Sequence, residues 1–128
     1  MTDREVVTKE SPGSVAETVS RLSEAIAAKG IKLFATIDHS GEARAAGLDL
    51  RETKVVIFGS PAGGTPVMQA EPLAALDLPL KVLVWADGDQ TKVSYAPPAV
   101  LAERYGLSDD LAARLAVIDP LTDAAVAA

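Results

Sequence analysis

The sequence predicts a two-layer α+β domain, in which a mixed sheet of about five strands carries helices packed on it. Strand-like and helix-like segments interleave along the 128 residues. The turn at Asp87-Gly88-Asp89 is too short for a crossover, so the strands beside it must be antiparallel. Hydrophobic residues make up 48% of the chain, which is enough for a packed core. This length and composition predict one domain over residues 1–128.

In the first third of the chain, apolar spacing and capping residues define the elements. A weak strand is expected over residues 5–9. Ser14-Val15-Ala16-Glu17 has capping-box spacing and predicts the start of a helix. One apolar stripe follows, and Gly30 is expected to end the helix. Alternating apolar residues then predict a strand over residues 31–38, with about one helical turn at residues 42–46.

The middle of the chain is organised around a buried strand at Val55–Phe58, which we interpret as the central strand. A loop of Gly, Ser and Pro residues follows it. Thr65 and Pro66 suit the N-cap and the first position of the next helix, because that position needs no intrahelical N–H. Helical turns are expected over residues 66–70 and 72–76.

The last third is predicted to contain a hairpin and two helices. Its strands are residues 80–86 and 91–95, and the helices are residues 98–105 and 109 to about 118. Pro120 is expected to interrupt helical structure, and the Ala-rich tail at residues 121–128 is expected to fray.

Composition argues against several functional classes. A net charge of −6 without a basic run argues against a nucleic-acid partner. The absence of cysteine excludes disulfides, thiolate zinc sites and cysteine nucleophiles. The N-terminal residues lack the apolar segment of a signal peptide, and no apolar run is long enough to span a membrane. We therefore expect a cytoplasmic protein without a cofactor.

The glycine loop after the Val55–Phe58 strand is the first candidate site. A strand that ends in a glycine loop and a helix N-terminus often binds a small polar or anionic ligand through backbone N–H groups. A tight turn that needs positive φ explains the same glycines without a ligand. The candidate ligand-binding residues are Gly59, Ser60, Gly63, Gly64, Thr65 and Gln69.

Asp38-His39 is the second candidate site, because His39 is the only histidine of the chain. An imidazole oriented by a carboxylate can act as a general base, so an enzyme using His39 and Asp38 is one hypothesis. The alternative is that Asp38 or Ser40 caps the next helix and that His39 lies in a turn. With one histidine and scattered carboxylates, no metal site is expected. Enzymatic activity ranks below ligand binding.

Several ordered segments resemble a bacterial family, domain-of-unknown-function family three hundred and two. They include Val56-Ile-Phe-Gly-Ser-Pro and Gly64-Thr-Pro-Val-Met-Gln, together with residues 34–40, 46–51, 76–85, 93–98 and 101–105. The resemblance covers about residues 14–118. It implies a compact α+β fold that associates as a homodimer, and it implies no settled activity. The sequence departs from the family at Ala62-Gly63-Gly64, where many relatives carry Lys or Arg.

Three functional hypotheses follow. The first is a homodimeric domain that binds a small polar or anionic ligand at the glycine loop. The others are the acid–base enzyme and a module that binds another protein through an exposed apolar patch. The chain has few strands, so at most one of the strands at residues 80–86 and 91–95 can be covered on both edges. The dimer interface is therefore predicted to include part of one of these strands or the helix beside it.

Overall fold

The computed structural model describes residues 5–127, which form a single five-stranded sheet with helices. The strands are β1 (Val7–Ser11), β2 (Lys32–Asp38), β3 (Thr53–Gly59), β4 (Leu80–Asp87) and β5 (Gln90–Tyr95). Their order is β1-β5-β4-β3-β2, and every neighbouring pair is antiparallel. The α+β class is confirmed. The expectation of a mixed sheet is wrong. The helical segments after β2 and β3 do not act as crossovers between parallel strands, because each leads into an antiparallel neighbour.

Six α-helices occur in the described part of the chain, together with a 3-10 segment over Pro72–Asp77. The α-helices are α1 (Val15–Ala28), α2 (His39–Ala45), α3 (Pro61–Ala70), α4 (Pro98–Tyr105), α5 (Asp109–Ala113) and α6 (Ile118–Ala125). The predicted capping box of α1 is present. Ser14 Oγ accepts from the Glu17 N–H at 3.1 Å, and Glu17 Oε1 accepts from the Ser14 N–H at 3.1 Å. These bonds satisfy two backbone donors that the helix itself cannot pair.

The core lies on one face of the sheet, where alternate residues of three interior strands meet the apolar stripe of α1 and the buried face of α6. Fully buried members are Val15, Leu22, Ile26, Val56, Phe58, Val67, Val82, Val84, Val93, Ile118, Leu121 and Ala125. The period of two along the strands and of three to four along the helices explains why these residues share one core.

The C-terminal prediction is wrong in two respects. The helix expected over residues 109–118 ends at Ala113, and a separate helix, α6, begins at Ile118. Residues 121–127 are not a frayed tail as a whole, because Leu121, Thr122 and Ala125 are buried. Pro120 lies in the first turn of α6, where the backbone N–H has no intrahelical acceptor, so proline is tolerated there. Ala128 lies outside the described residues, as do residues 1–4.

The strand order also changes two expectations about the sheet. The central strand is β4, and β3 lies between β4 and β2. Both hairpin strands, β4 and β5, are covered on both edges, so the reason given for placing a dimer interface there is wrong. The free edges belong to β1 and β2. No helix within residues 5–127 is long and apolar enough to cross a membrane.

Candidate functional site

The predicted glycine loop is the first turn of α3. The helix begins at Pro61 with Ser60 as N-cap, rather than at Thr65-Pro66. Proline suits the first helical position because that position needs no intrahelical N–H. Pro61 and Pro66 are therefore equivalent candidates for the start of this helix. The glycines with positive φ among the described residues are Gly30, Gly47, Gly88 and Gly106. The glycines at positions 59, 63 and 64 are therefore not explained by a turn that needs positive φ.

Two backbone N–H groups of this turn are already paired. The N–H groups of Gly63 and Gly64 both donate to the Ser60 carbonyl oxygen, at 3.0 and 2.8 Å. Pro61 has no N–H. An anion site built from the amides of residues 63 and 64 therefore lacks its donors, which corrects the mechanism expected from the sequence.

A cavity of about 320 Å³ opens beside this turn, between α3, the end of β3, the segment after the 3-10 turn and the chain after α5. This volume is at the lower end of the range for small-molecule sites. The lining is mostly carbon and consists of Phe34, Gly59, Ser60, Pro61, Gly63, Gly64, Thr65, Met68, Ala75, Leu78, Pro79, Leu80, Arg114, Leu115 and Val117.

Five of the six ligand-binding candidates line this cavity, namely Gly59, Ser60, Gly63, Gly64 and Thr65. Gln69 is exposed and is not in the lining. Sequence reasoning missed the opposite wall, which includes Phe34 of β2 and Arg114 after α5. These residues are distant in sequence from the loop, and no local pattern connects them to it.

Gly64 keeps part of the cavity open. A Cβ at this position would lie 3.8 Å from Met68 Cε and 4.0 Å from Leu78 Cδ1, two side chains of the lining. A Cβ at Gly63 would lie 3.4 Å from the Arg114 carbonyl oxygen. Glycine inside a helix costs up to about 1 kcal/mol relative to alanine. Neither Gly63 nor Gly64 has positive φ, so the backbone conformation does not explain why glycine is present despite this cost. The space beside them is the cavity and its wall.

Three polar residues belong to the lining, Ser60, Thr65 and Arg114. The Ser60 hydroxyl occupies the N-cap position but makes no capping hydrogen bond. Arg114 is exposed, and within residues 5–127 its guanidinium makes no ion pair within 4.0 Å. An apolar cavity with a few polar groups at its border is the usual form of a small-molecule site.

A polar cluster holds one wall of the cavity against α4. Tyr105 Oη donates a hydrogen bond to Asp77 Oδ2, and Arg104 Nη1 donates to the same oxygen at 2.8 Å. The hydrogen bond from Tyr105, followed by the one from Arg104, lowers the pKa of the Asp77 carboxyl. Asp77 ends the 3-10 segment and directly precedes Leu78, which lines the cavity. The cluster therefore fixes the position of that wall.

Asp38 caps α2. Its Oδ1 accepts hydrogen bonds from Ser40 Oγ at 2.6 Å and from the Gly41 N–H at 2.9 Å. The Ser40 bond and then the Gly41 bond lower the pKa of the Asp38 carboxyl. His39 is exposed at the first position of α2 and is not part of the cavity lining. Acid–base catalysis by this pair stays a prediction, and the structure gives Asp38 a capping role.

In the described part of the chain, the acidic side chains and the histidine do not cluster as metal ligands do. Among residues 5–127, no group of three or more His, Asp or Glu side chains is arranged to hold a metal ion. The polar side chains of the lining residues carry two hydroxyls and one guanidinium, which are poor ligands for divalent cations.

Comparison with known families gives a match over residues 7–125 to the family described as Domain of unknown function DUF302. The chain belongs to this family. The matched range includes β1 and α6, so it extends beyond residues 14–118 at both ends. The family has no assigned function, so membership confirms the resemblance and leaves the ligand or reaction open.

Two curated relatives and one solved structure are similar to this chain. Proteins named fluoride-specific ion channel FluC 1 from Brucella suis and Brucella abortus are each 41% identical over 118 residues. These alignments cover 90% of this chain but only 46% and 44% of the relatives, so the chain spans less than half of their length. The crystal structure of an uncharacterised DUF302 protein from Bacillus stearothermophilus has a TM-score of 0.80 at 20% identity, covering 95% of each chain. That likeness supports the fold.

Proposed function

We propose that this DUF302 domain binds a compact amphipathic small molecule in the cavity beside α3. The cavity itself is the observation that carries the proposal: about 320 Å³, lined mainly by carbon, with hydroxyls and a guanidinium among its lining residues. Liquid water takes up about 30 Å³ per molecule, so the space fits roughly ten water-sized groups. An apolar body would fill the cavity, and a polar end would contact Ser60, Thr65 or Arg114.

The glycines at positions 63 and 64 of α3 support a role for the cavity in binding. A helix with alanine at positions 63 and 64 would be more stable by up to about 1 kcal/mol per position from propensity alone. At Gly64, the added methyl group would meet Met68 and Leu78 at ordinary contact distances, so packing does not forbid it. A binding site that needs the space explains why glycine is present there.

The fluoride channels named among the relatives do not make fluoride a good candidate ligand for this cavity. A small anion loses strong hydration on entering an apolar space and needs several donors in return. The amides of Gly63 and Gly64 already donate to Ser60. We therefore expect sodium fluoride to leave the thermal midpoint unchanged relative to sodium chloride at the same concentration.

Thermal unfolding with added amphiphiles tests the proposal. Octan-1-ol and octanoate each have roughly the volume that the cavity offers. At saturating ligand, we expect at least one of them to raise the midpoint of the wild type, because a ligand that binds only the folded state stabilises it. The Gly64→Leu variant, whose side chain extends toward Met68 and Leu78, should fold and lose this response. Equal responses from the wild type and the variant would contradict binding in this cavity.

We also propose that the domain associates as a homodimer through β2 and the neighbouring part of the sheet. All seven residues of β2 are exposed, and Leu33, Phe34 and Ile37 retain 41%, 47% and 38% of their surface. Strand β2 is a free edge of the sheet. An antiparallel pair of β2 strands centred on Ala35 would place Lys32 of each copy opposite Asp38 of the other.

The β2 interface is tested by light scattering at micromolar concentration. The wild type should have twice the chain mass of 13.2 kDa. Leu33→Asp should give a monomer, since it places a charge on the exposed strand. Leu76→Asp is the matched control, because Leu76 is 76% exposed and lies on the 3-10 segment. A monomeric wild type would refute the homodimer, and a dimeric Leu33→Asp variant would refute its location.

A further inference from the structure

We propose that the ligand of this cavity is a monocarboxylate with a short apolar tail, and that the Arg114 guanidinium binds its carboxylate. This inference rests on the proposed function and specifies its ligand class. It comes from the distribution of charge around the cavity.

Arg114 is the only charged residue among the fifteen that line the cavity. The chain as a whole carries 18 acidic and 12 basic residues, so a cavity bordered by one cation and no carboxylate differs from the average surface. Among the other arginines at described positions, Arg51 lies within 3.7 Å of Asp87 and Arg104 within 2.8 Å of Asp77, whereas Arg21 and Arg44 have no ion pair and do not line the cavity. Arg114 has no such partner within residues 5–127. A carboxylate is the group that its planar donors bind best, through two parallel hydrogen bonds.

The neutral groups of the lining fit the same ligand. Ser60 is half-buried, and its hydroxyl makes no capping bond, so it is able to donate to a carboxylate oxygen. The side chains of Phe34, Met68, Leu78 and Leu115 provide the apolar surface for a tail. A phosphate monoester fits less well, because it would bring about two negative charges to a single guanidinium. An amine fits less well too, because its positive charge would lie beside that of Arg114.

The volume limits the length of the tail. Space for roughly ten water-sized groups corresponds to a carboxylate with about seven further carbons, so a long-chain fatty acid would extend out of the cavity. Medium-length or compact aromatic monocarboxylates are therefore the expected ligands, whereas acetate and long acyl chains should bind poorly.

Calorimetric titration with three eight-carbon probes tests the charge preference. Octanoate, octan-1-ol and octylamine share their tail and differ in the polar group. We expect the wild type to bind octanoate about ten-fold more tightly than octan-1-ol and to bind octylamine most weakly. In Arg114→Gln, octanoate and octan-1-ol should bind equally. Arg44→Gln makes the same change of net charge on exposed α2 and should keep the wild-type preference.

The outcomes separate the two proposals. Equal binding of octanoate and octan-1-ol by the wild type would overturn the carboxylate inference and leave the cavity as a site for neutral amphiphiles. A preference that survives in Arg114→Gln, or that Arg44→Gln also removes, would overturn the role of Arg114. If none of the probes bound the wild type, the proposed function would fail together with the inference.

Discussion

Gly64 faces Met68 across an open space: a Cβ on Gly64 would lie 3.8 Å from Met68 Cε, in ordinary van der Waals contact. The residue is inside helix α3 with no requirement for positive φ. The neighbouring cavity is therefore widened by the absence of one methyl group, and the helix is less stable for it.

Gly64→Ala should stabilise the protein by about 0.5–1 kcal/mol, since alanine has a higher helix propensity and reduces the entropy of the unfolded chain. Gly30→Ala is the control. Gly30 has a φ of +69°, and nothing lies within 4 Å of its would-be Cβ, so this substitution should cost about 1 kcal/mol through backbone strain alone. Urea unfolding measures both. Destabilisation by Gly64→Ala would show that the space beside it is not open.

Ser60→Ala should leave stability nearly unchanged, although an N-cap serine normally contributes about 1 kcal/mol. The reason is that Ser60 makes no capping bond, whereas Ser14 accepts from the Glu17 N–H at 3.1 Å. Ser14→Ala should therefore cost about 1 kcal/mol in the same urea experiment. Equal losses from the two variants would show that Ser60 caps α3 in solution and is not available to a ligand.

Asp77→Asn should destabilise the domain by about 1 kcal/mol at neutral pH, because a neutral amide is a weaker partner for Tyr105 and Arg104. The hydrogen bond from Tyr105 is the main cause of the lowered pKa of Asp77. A carboxyl with a lowered pKa in the folded state stabilises the fold above its ordinary pKa of 3.8, and this contribution is lost as the pH falls through the folded value.

The difference between the wild type and Asp77→Asn should accordingly be full at about pH 6 and should shrink below about pH 4. Unfolding curves collected across this range check the expectation. A difference that stays constant with pH would contradict the role assigned to the ionised carboxylate.

Asp38→Ala should destabilise α2 and His39→Ala should not. Asp38 accepts hydrogen bonds from Ser40 Oγ and from the Gly41 N–H, and His39 is exposed. Asp38→Ser, which retains a capping oxygen, should recover most of the loss. Hydrogen exchange of the α2 amides reports the effect locally. Loss of protection in His39→Ala equal to that in Asp38→Ala would indicate that the histidine also holds the helix.

Sequence reasoning predicted the elements whose signals are local. The capping box at Ser14, the helix end at Tyr105 and the hairpin around Gly88 depend on residues a few positions apart, and all three occur in the structure. Strand order depends on long-range pairing, so the position of β4 at the centre and the exposure of β2 were not predictable from periodicity.

The candidate site shows the same division. The loop from Gly59 to Thr65 was identified because glycine and proline after a strand form a local pattern, and the five candidate residues within it all line the cavity. Phe34 and Arg114 reach the same cavity from distant parts of the chain. Their contribution changes the expected ligand from an anion held by amides to an amphipathic molecule.

The central claim is that a small amphipathic molecule binds beside α3, and amide NMR of the wild type during titration with octanoate tests it most directly. The amides of Gly59, Gly63 and Gly64 should shift and saturate together, while those of Gly88 and Gly106, which lie outside the cavity lining, should stay in place. Shifts of equal size at all five glycines, or shifts at Gly88 and Gly106 alone, would contradict the account.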